Sequence, residues 1–219
     1  MKKTILTTFI LGALLVSCGS NGKKVETQDA QEVTETKTEQ TQVYNKIAAA
    51  STVEWRASHL GGAQPRFGEI KLKSAKFSVN NNELTNALVI IDMSSLTVES
   101  FPDDSEKKES LTGHLKSADF FDIEKNPTST FEITKVEKGN GEFSNKITGN
   151  LTIMGISKSI SFNANVTVND QQVSIKSEKF AVDRKDWNLT YHAEGSEGVP
   201  TDYLIADRIG FTIDVSVNR

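Results

Sequence analysis

The residues in this sequence with the clearest capacity for metal or proton chemistry are its three histidines, His59, His114 and His192. Imidazole nitrogens bind zinc and exchange protons near neutral pH. Zinc sites built on one helix or strand usually show paired spacing, such as His-x-His or two histidines four residues apart. Here the histidines fall in three different segments, and no such pair occurs. The sequence therefore predicts hydrogen-bonding or surface roles for them, and no metal site.

A second polar group follows a predicted strand that ends at Val182, where Asp183 and Arg184 are followed closely by Asp186 and Trp187. The planar guanidinium of Arg184 is suited to the oxygens of a phosphate or quinone head group. Alternatively, Arg184 pairs with a neighbouring aspartate and fixes the loop. Trp187 could line an opening of the fold or close it. Both pairs of alternatives stay open at this point.

Motifs of the common enzyme classes are missing from the sequence. It has no Gly-x-Ser-x-Gly turn, and no Gly-x-x-x-x-Gly-Lys or Gly-x-Gly-x-x-Gly phosphate loop follows a strand. The acidic pair Asp103-Asp104 lies at the predicted start of a helix, where both carboxylates are solvated. A formal net charge of −4 does not favour nucleic-acid binding. We therefore expect a protein that is not an enzyme and that has no resident cofactor.

The N-terminus has the pattern of an exported protein. Two lysines precede an apolar run at residues 5–16, which is too short to span a bilayer stably. The run ends in Leu-Val-Ser-Cys at residues 15–18, which resembles the lipobox of bacterial lipoproteins. Residues 1–17 are thus predicted to be a signal peptide, and Cys18 to be acylated as the first mature residue. An ordinary signal peptide with an incidental cysteine is the alternative.

The segment after the cysteine differs in composition from the rest of the chain. Residues 18–42 are rich in Gln, Thr, Glu and Lys, and they contain no aromatic residue. Such a segment cannot bury enough apolar surface to offset its ordering entropy, so it is predicted to be a flexible tether. The folded domain is expected at residues 43–219. Gly19, rather than an acidic residue, follows Cys18, which favours an outer-membrane anchor facing the periplasm.

Alternation of apolar and polar residues dominates the folded part. In residues 158–168, Ile160, Phe162 and Ala164 share one face, and residues 208–217 repeat the pattern. Weaker candidate strands cover residues 52–58, 69–79, 83–93, 130–136, 147–154 and 173–182. Eight strands joined by short turns predict an all-β fold, either an antiparallel sandwich or a closed barrel. One helix is predicted at about residues 105–116, where Asp104 can cap it and Leu111 and Leu115 form an apolar pair.

Two adjacent phenylalanines, Phe120 and Phe121, follow the predicted helix. Neighbouring side chains in a local element cannot both point to the same buried side. We therefore expect one ring to face the barrel interior and the other to pack the helix against the wall. The inward candidates on the strands are Phe131, Ile133, Leu151, Ile153, Phe162, Val166, Phe211 and Ile213. They could line a ligand space or pack a dry core.

Five blocks of the sequence resemble the YceI-like domain family. They are His-Leu-Gly-Gly at 59–62 with Phe-Gly-Glu at 67–69, Ile-Asp-Met-Ser-Ser-Leu at 91–96, the segment 115–131 with its Phe-Phe pair, Ile-Thr-Gly-Asn-Leu-Thr-Ile-Met-Gly at 147–155 with Lys158, and Ala-Val-Asp-Arg-Lys-Asp-Trp at 181–187. Their order and spacing extend the resemblance over nearly the whole domain. One departure is Pro65-Arg66, where relatives often have a small or β-branched residue and a glycine.

The resemblance implies an eight-stranded, lipocalin-like antiparallel barrel that holds a long isoprenoid or similar lipid, such as a polyprenyl phosphate or quinone, for sequestration or transport. The inward candidates, with Phe120 and Phe121, would contact the lipid chain. His59, Arg184 and Trp187 would be candidates for the head group. Two alternatives remain: a filled barrel that serves as a structural or interaction lipoprotein, and an enzyme that acts on a lipid. A homodimer through an edge strand or the helix is compatible with the sequence.

Overall fold

The structure is a computed structural model that describes residues 21–34, 40–139 and 141–219. The strands are β1 (Lys23–Lys24), β2 (Gln28–Asp29), β3 (Gln42–Tyr44), β4 (Lys46–Ile47), β5 (Thr52–Ala57), β6 (Arg66–Asn80), β7 (Glu83–Asp92), β8 (Thr128–Lys138), β9 (Asn145–Ile153), β10 (Ile156–Val168), β11 (Gln172–Ser177), β12 (Phe180–Asp183) and β13 (Arg208–Asn218). The α-helix α1 covers Ser105–Lys116, and short 3-10 helices cover Leu60–Gly62, Met93–Ser95, Arg184–Trp187 and Thr201–Tyr203. All eight predicted strand segments and the predicted helix are present.

The strands close into an antiparallel barrel. From β5 to β10 each strand pairs with the next along the chain. Between β10 and β13 the barrel wall consists of two successive short strands. Strand β11 pairs with both β10 and β13, and β12 pairs with β13. They are separate strands because the chain is not in a strand between Ser177 and Phe180. Strand β13 then pairs with β5 and closes the ring. The fold is therefore the eight-stranded antiparallel barrel that the resemblance implied, and the open sandwich is excluded.

Alternation fixes which side chains face the interior. On β10, Ile160, Phe162 and Ala164 are buried, and on β13, Val215 and Val217 are buried. These side chains belong to a large apolar cluster inside the barrel. A smaller cluster of Trp55, Ile70, Leu96 and Val98 lies at one end, beneath the helix.

The helix packs on that smaller cluster through a narrow apolar edge. The carboxylate of Asp104 accepts a hydrogen bond from the backbone N–H of Lys107 at 3.0 Å, which caps the first turn. The predicted pair Leu111 and Leu115 contacts the smaller cluster. The chain then turns back at Phe121, whose N–H donates to the Leu115 carbonyl at 3.2 Å. Within the described residues, no helix is both long and apolar enough to cross a membrane.

The N-terminal segment differs from the expected free tether. The predicted signal peptide and Cys18 lie outside the described residues. Residues 21–34, assigned by composition to a flexible tether, lie against the barrel and include β1 and β2, which pair with β12 and β10. The physical reason is that backbone pairing with an open strand edge needs no apolar side chain. Composition therefore underestimated how much of this segment is ordered.

Candidate functional site

The interior of the barrel contains a cavity lined only by apolar side chains. Its volume is about 80 Å³, several times the roughly 10–15 Å³ that one water molecule requires. It lies among inward side chains of β5 to β13, with Phe77, Phe131, Phe162, Phe180 and Phe211 as the aromatic members. A cavity without polar partners does not hold water well and suits an apolar ligand. The lumen is narrow, but side chains do not fill it.

A second cavity of about 80 Å³ lies between the barrel end and the segment that follows the helix. Its wall includes Leu115, Phe120 and Phe121, and it is apolar apart from Ser129 and Arg184. Four side chains line both cavities and form what we call the waist: Val53, Ile91, Leu151 and Phe211. The two cavities therefore adjoin at the waist, and we call the two together the apolar passage.

Nine of the ten predicted lumen residues line this passage. The first cavity is lined by Phe131, Ile133, Leu151, Phe162, Phe211 and Ile213, and the second by Phe120, Phe121, Leu151, Ile153 and Phe211. The remaining residue, Val166, does not line either cavity. Val166 keeps the inward alternation of β10, but it lies past the cavity and lines a separate surface depression with Leu84 and Val168. That the other nine contact a lipid stays a prediction.

Four phenylalanines from four strands form an arc around the first cavity. Ring centroids are 5.6 Å apart for Phe131 and Phe162, 4.5 Å for Phe162 and Phe180, and 5.9 Å for Phe180 and Phe211. The Phe162 and Phe180 rings are stacked at an interplanar angle of 1°. Sequence reasoning missed Phe180. Val173 and Ile175 on β11 are buried at odd-numbered positions, whereas after the break between β11 and β12 the inward side chain is at the even-numbered position 180. The available signal was an aromatic residue next to a predicted strand end.

The adjacent phenylalanines after the helix make different contacts. The Phe120 ring is 5.0 Å from the His114 ring and 5.2 Å from the Tyr191 ring, so it joins the helix to the loop after β12. Phe121 packs against both apolar clusters, at the junction between lumen and helix. Both rings line the second cavity, so this segment closes one end of the passage.

Arg184 is buried and its guanidinium is occupied by the protein itself. It donates hydrogen bonds to the backbone carbonyls of Leu189 at 2.6 Å, Tyr191 at 3.0 Å, Ile205 at 3.1 Å and Ala206 at 3.2 Å. Burial lowers its pKa, and the nearby carboxylate of Asp207 opposes that shift. Of the two alternatives, the geometry favours the one in which Arg184 fixes the loop, since an Asp207 carboxylate oxygen also lies 3.9 Å from its guanidinium.

The other two head-group candidates have protein partners of their own. Trp187 is fully buried and donates its indole N–H to the Leu151 carbonyl at 3.1 Å, so it closes the wall and does not line an opening. His59 lies in an exposed groove beside the helix with Arg66 and His114, and its Nδ1 is 2.7 Å from the Asp202 carbonyl oxygen. The structure therefore does not bring the three candidates together at one mouth.

The histidines have protein partners. His114 Nε2 is 3.1 Å from an Asp119 carboxylate oxygen, and the His192 ring stacks on Tyr191 at 4.0 Å. Across the described ranges, no three His, Cys, Asp or Glu side chains converge as metal ligands would.

Comparison with known proteins gives one family and several structural neighbours. The family described as YceI-like domain matches residues 44–217. Proteins named UPF0312 from Shewanella baltica and Pseudomonas aeruginosa are 34% and 33% identical over 125 and 112 residues, or 56% and 51% of this chain. These matches span 60% and 54% of the relatives' own lengths.

Two solved structures share the fold at low sequence identity. Burkholderia cenocepacia BcnA superposes with a TM-score of 0.57 at 17% identity, covering 78% of this chain and 99% of that one. A protein described as a polyisoprenoid binding domain from Saccharophagus degradans superposes with a TM-score of 0.55 at 12% identity, covering 81% and 99%.

Proposed function

Since this chain belongs to the YceI-like domain family, we propose that it is a binding protein that holds one long apolar lipid in its lumen. The lipid class is an isoprenoid chain with a polar head, such as a polyprenyl phosphate or a quinone. The observation that carries the proposal is the apolar passage, two adjoining cavities of which the first has no polar side chain in its lining. The name of the Saccharophagus degradans neighbour, a polyisoprenoid binding domain, supports the same ligand class.

The passage supplies the affinity that such a ligand needs. Removing apolar surface from water contributes about 25 cal/mol per Å², and this needs only a continuous apolar wall. Because both cavities are narrow, uptake requires the lining side chains to move apart. Several of these are phenylalanines whose rings can rotate about their side-chain bonds. We expect the lumen to widen around a bound chain.

Membrane attachment is part of the proposal. Acylation of Cys18 would hold the barrel at a bilayer, where an isoprenoid lipid resides. The lipobox-like sequence and Gly19 support an outer-membrane anchor that faces the periplasm. The barrel would then sequester the lipid or carry it between the membrane and the periplasm.

Native mass spectrometry of the full chain, purified from membranes in mild detergent, tests the proposal. We expect one non-covalent lipid per chain, lost under denaturing conditions and recovered by organic extraction. A covalent acyl group on Cys18 would survive denaturation, so the two signals separate. If no lipid co-purifies and the protein takes up no added polyprenol or quinone, the proposal is wrong.

A further inference from the structure

The barrel wall splits on one side of the lumen. Strand β10 pairs with β11 only over its second half, from Ala164 to Val168. The Glu178 N–H, which donates to the Asn163 carbonyl at 2.9 Å, extends this contact by one step. Beyond it the chain turns away, and β12 pairs with β13. Among the pairings of the described residues, none joins the first half of β10 directly to β12. We call this gap the side port.

Residues 21–31, which we call the side strand, bridge the side port. Lys23 and Lys24 pair in parallel with Phe180 and Ala181 on β12, and the Val25 N–H donates to the Ala181 carbonyl at 2.8 Å. At the other edge, the second half of the side strand pairs antiparallel with Lys158 and Ser159 of β10. The side strand thus contacts both edges of a gap that the barrel leaves open.

The lumen lies directly behind the side strand. Phe162 of β10 and Phe180 of β12 stack across the split at 4.5 Å, and both line the first cavity. Val25 is buried and belongs to the same apolar cluster as these rings. At this place the side strand and one pair of aromatic rings separate the lumen from solvent.

The side strand is attached by few apolar contacts. Val25 is its buried apolar side chain. Its other attachments are polar. The Asn21 side-chain amide donates to the Arg208 carbonyl at 3.0 Å, the Thr27 hydroxyl donates to an Asp186 carboxylate, and the Asn150 side-chain amide bonds both the N–H and the carbonyl of Gln31, at 2.9 and 2.7 Å. Exposed ion pairs join Lys24 to Asp183 and Lys158 to Asp29. Exposed ion pairs contribute little to stability. The ring of strands from β5 to β13 is closed without the side strand. The side strand can therefore leave while the barrel stays folded.

We propose that residues 21–31 are a releasable strand whose departure opens the side port, and that the lipid chain reaches the lumen sideways through it. This rests on the proposed lipid-binding function. If Cys18 is the anchor, the three Cα–Cα steps from it to Asn21 span at most about 11 Å. The docked side strand would then hold the port close to the bilayer surface, where a membrane lipid can enter it directly.

Matched aspartate substitutions in the full chain test the proposal. Val25→Asp buries a charge beneath the side strand, whereas Val33→Asp adds the same charge at a half-exposed position two residues beyond its end. Gly210→Ala acts from the barrel side, because a Cβ there would lie 2.0 Å from the Asn21 carbonyl oxygen. Stopped-flow fluorescence measures the uptake and release of parinaric acid, a fluorescent fatty acid. Val25→Asp and Gly210→Ala should accelerate both rates roughly tenfold at nearly unchanged affinity, since they populate the open state.

Unchanged rates in both release variants would overturn the side port and leave the proposed function intact. Hydrogen exchange provides a second, ligand-free test in the unsubstituted protein. The Val25 amide should exchange far faster than the central amides of β9, because opening of the side strand does not require global unfolding. Equal protection would show that the side strand is a permanent part of the wall and would overturn the proposal. If no form binds parinaric acid, hydrogen exchange alone decides the side strand, and the uptake of added polyprenol or quinone decides the proposed function.

Discussion

Replacing Arg184 with alanine should destabilise the fold by about 3–5 kcal/mol, because it leaves several buried carbonyl oxygens without a donor. The guanidinium bonds carbonyls on two separated stretches, Leu189 to Tyr191 and Ile205 to Ala206. The Arg184 side chain therefore holds together two parts of the long loop between β12 and β13. Arg184→Lys should lose most of the same free energy of unfolding, because an ammonium group lacks the planar fork that reaches four acceptors.

Urea-induced unfolding of the Arg184 variants measures this effect. The control is Lys185→Ala, since Lys185 is an exposed neighbour that pairs with Asp207 and should cost much less. If Arg184 instead served mainly to bind a lipid head group, Arg184→Ala would keep the stability of the unsubstituted protein and lose only affinity. That outcome would contradict the role assigned to this side chain.

Replacing Ile91 with tryptophan should divide the passage at the waist. Ile91 lines both cavities, so a larger ring there should exclude a chain that runs from one cavity to the other. We expect the affinity for a long polyprenol to fall at least about tenfold, because part of its apolar surface stays in water. A short prenol that fits within one cavity should bind nearly as before. Overpacking should destabilise the fold by about 1–3 kcal/mol.

Titration of the variant with prenols of increasing length measures the effect. Val43→Trp is the matched control, because it adds the same ring at an exposed position of β3. If Ile91→Trp binds prenols of every length as tightly as the unsubstituted protein does, ligands do not cross the waist. An equal loss for short and long prenols would point to general damage to the lumen.

Much of the fold could be predicted from the sequence because alternation is a local property. On β10 and β13 the apolar residues recur at every second position, and burial follows from that spacing. The helix was equally readable from Asp104 and the Leu111 and Leu115 pair. Closure into a barrel could not be predicted from local sequence patterns, because it depends on pairing between β5 and β13, which are far apart in the chain. The family resemblance supplied that step.

The site was predicted less completely than the fold. The lumen residues could be predicted from alternation, which shows which side chains point inward. Val166 shows that alternation does not give the position of an inward side chain along the barrel axis. Arg184 and Trp187 were ambiguous because a loop's path decides whether a side chain points to a mouth or into the wall. The order of residues 21–34 was missed because its attachments are backbone pairs and side-chain amides, which leave little trace in composition.

A crystal structure of the full chain purified together with its native lipid would test the central claim most directly. We predict continuous electron density for one chain that starts beside Phe162, passes the waist at Ile91 and Leu151, and ends against Phe121. The Phe rings of the arc should be displaced outward relative to their present stacking. A lumen closed by side chains, with no density inside it and any lipid bound elsewhere, would contradict the account.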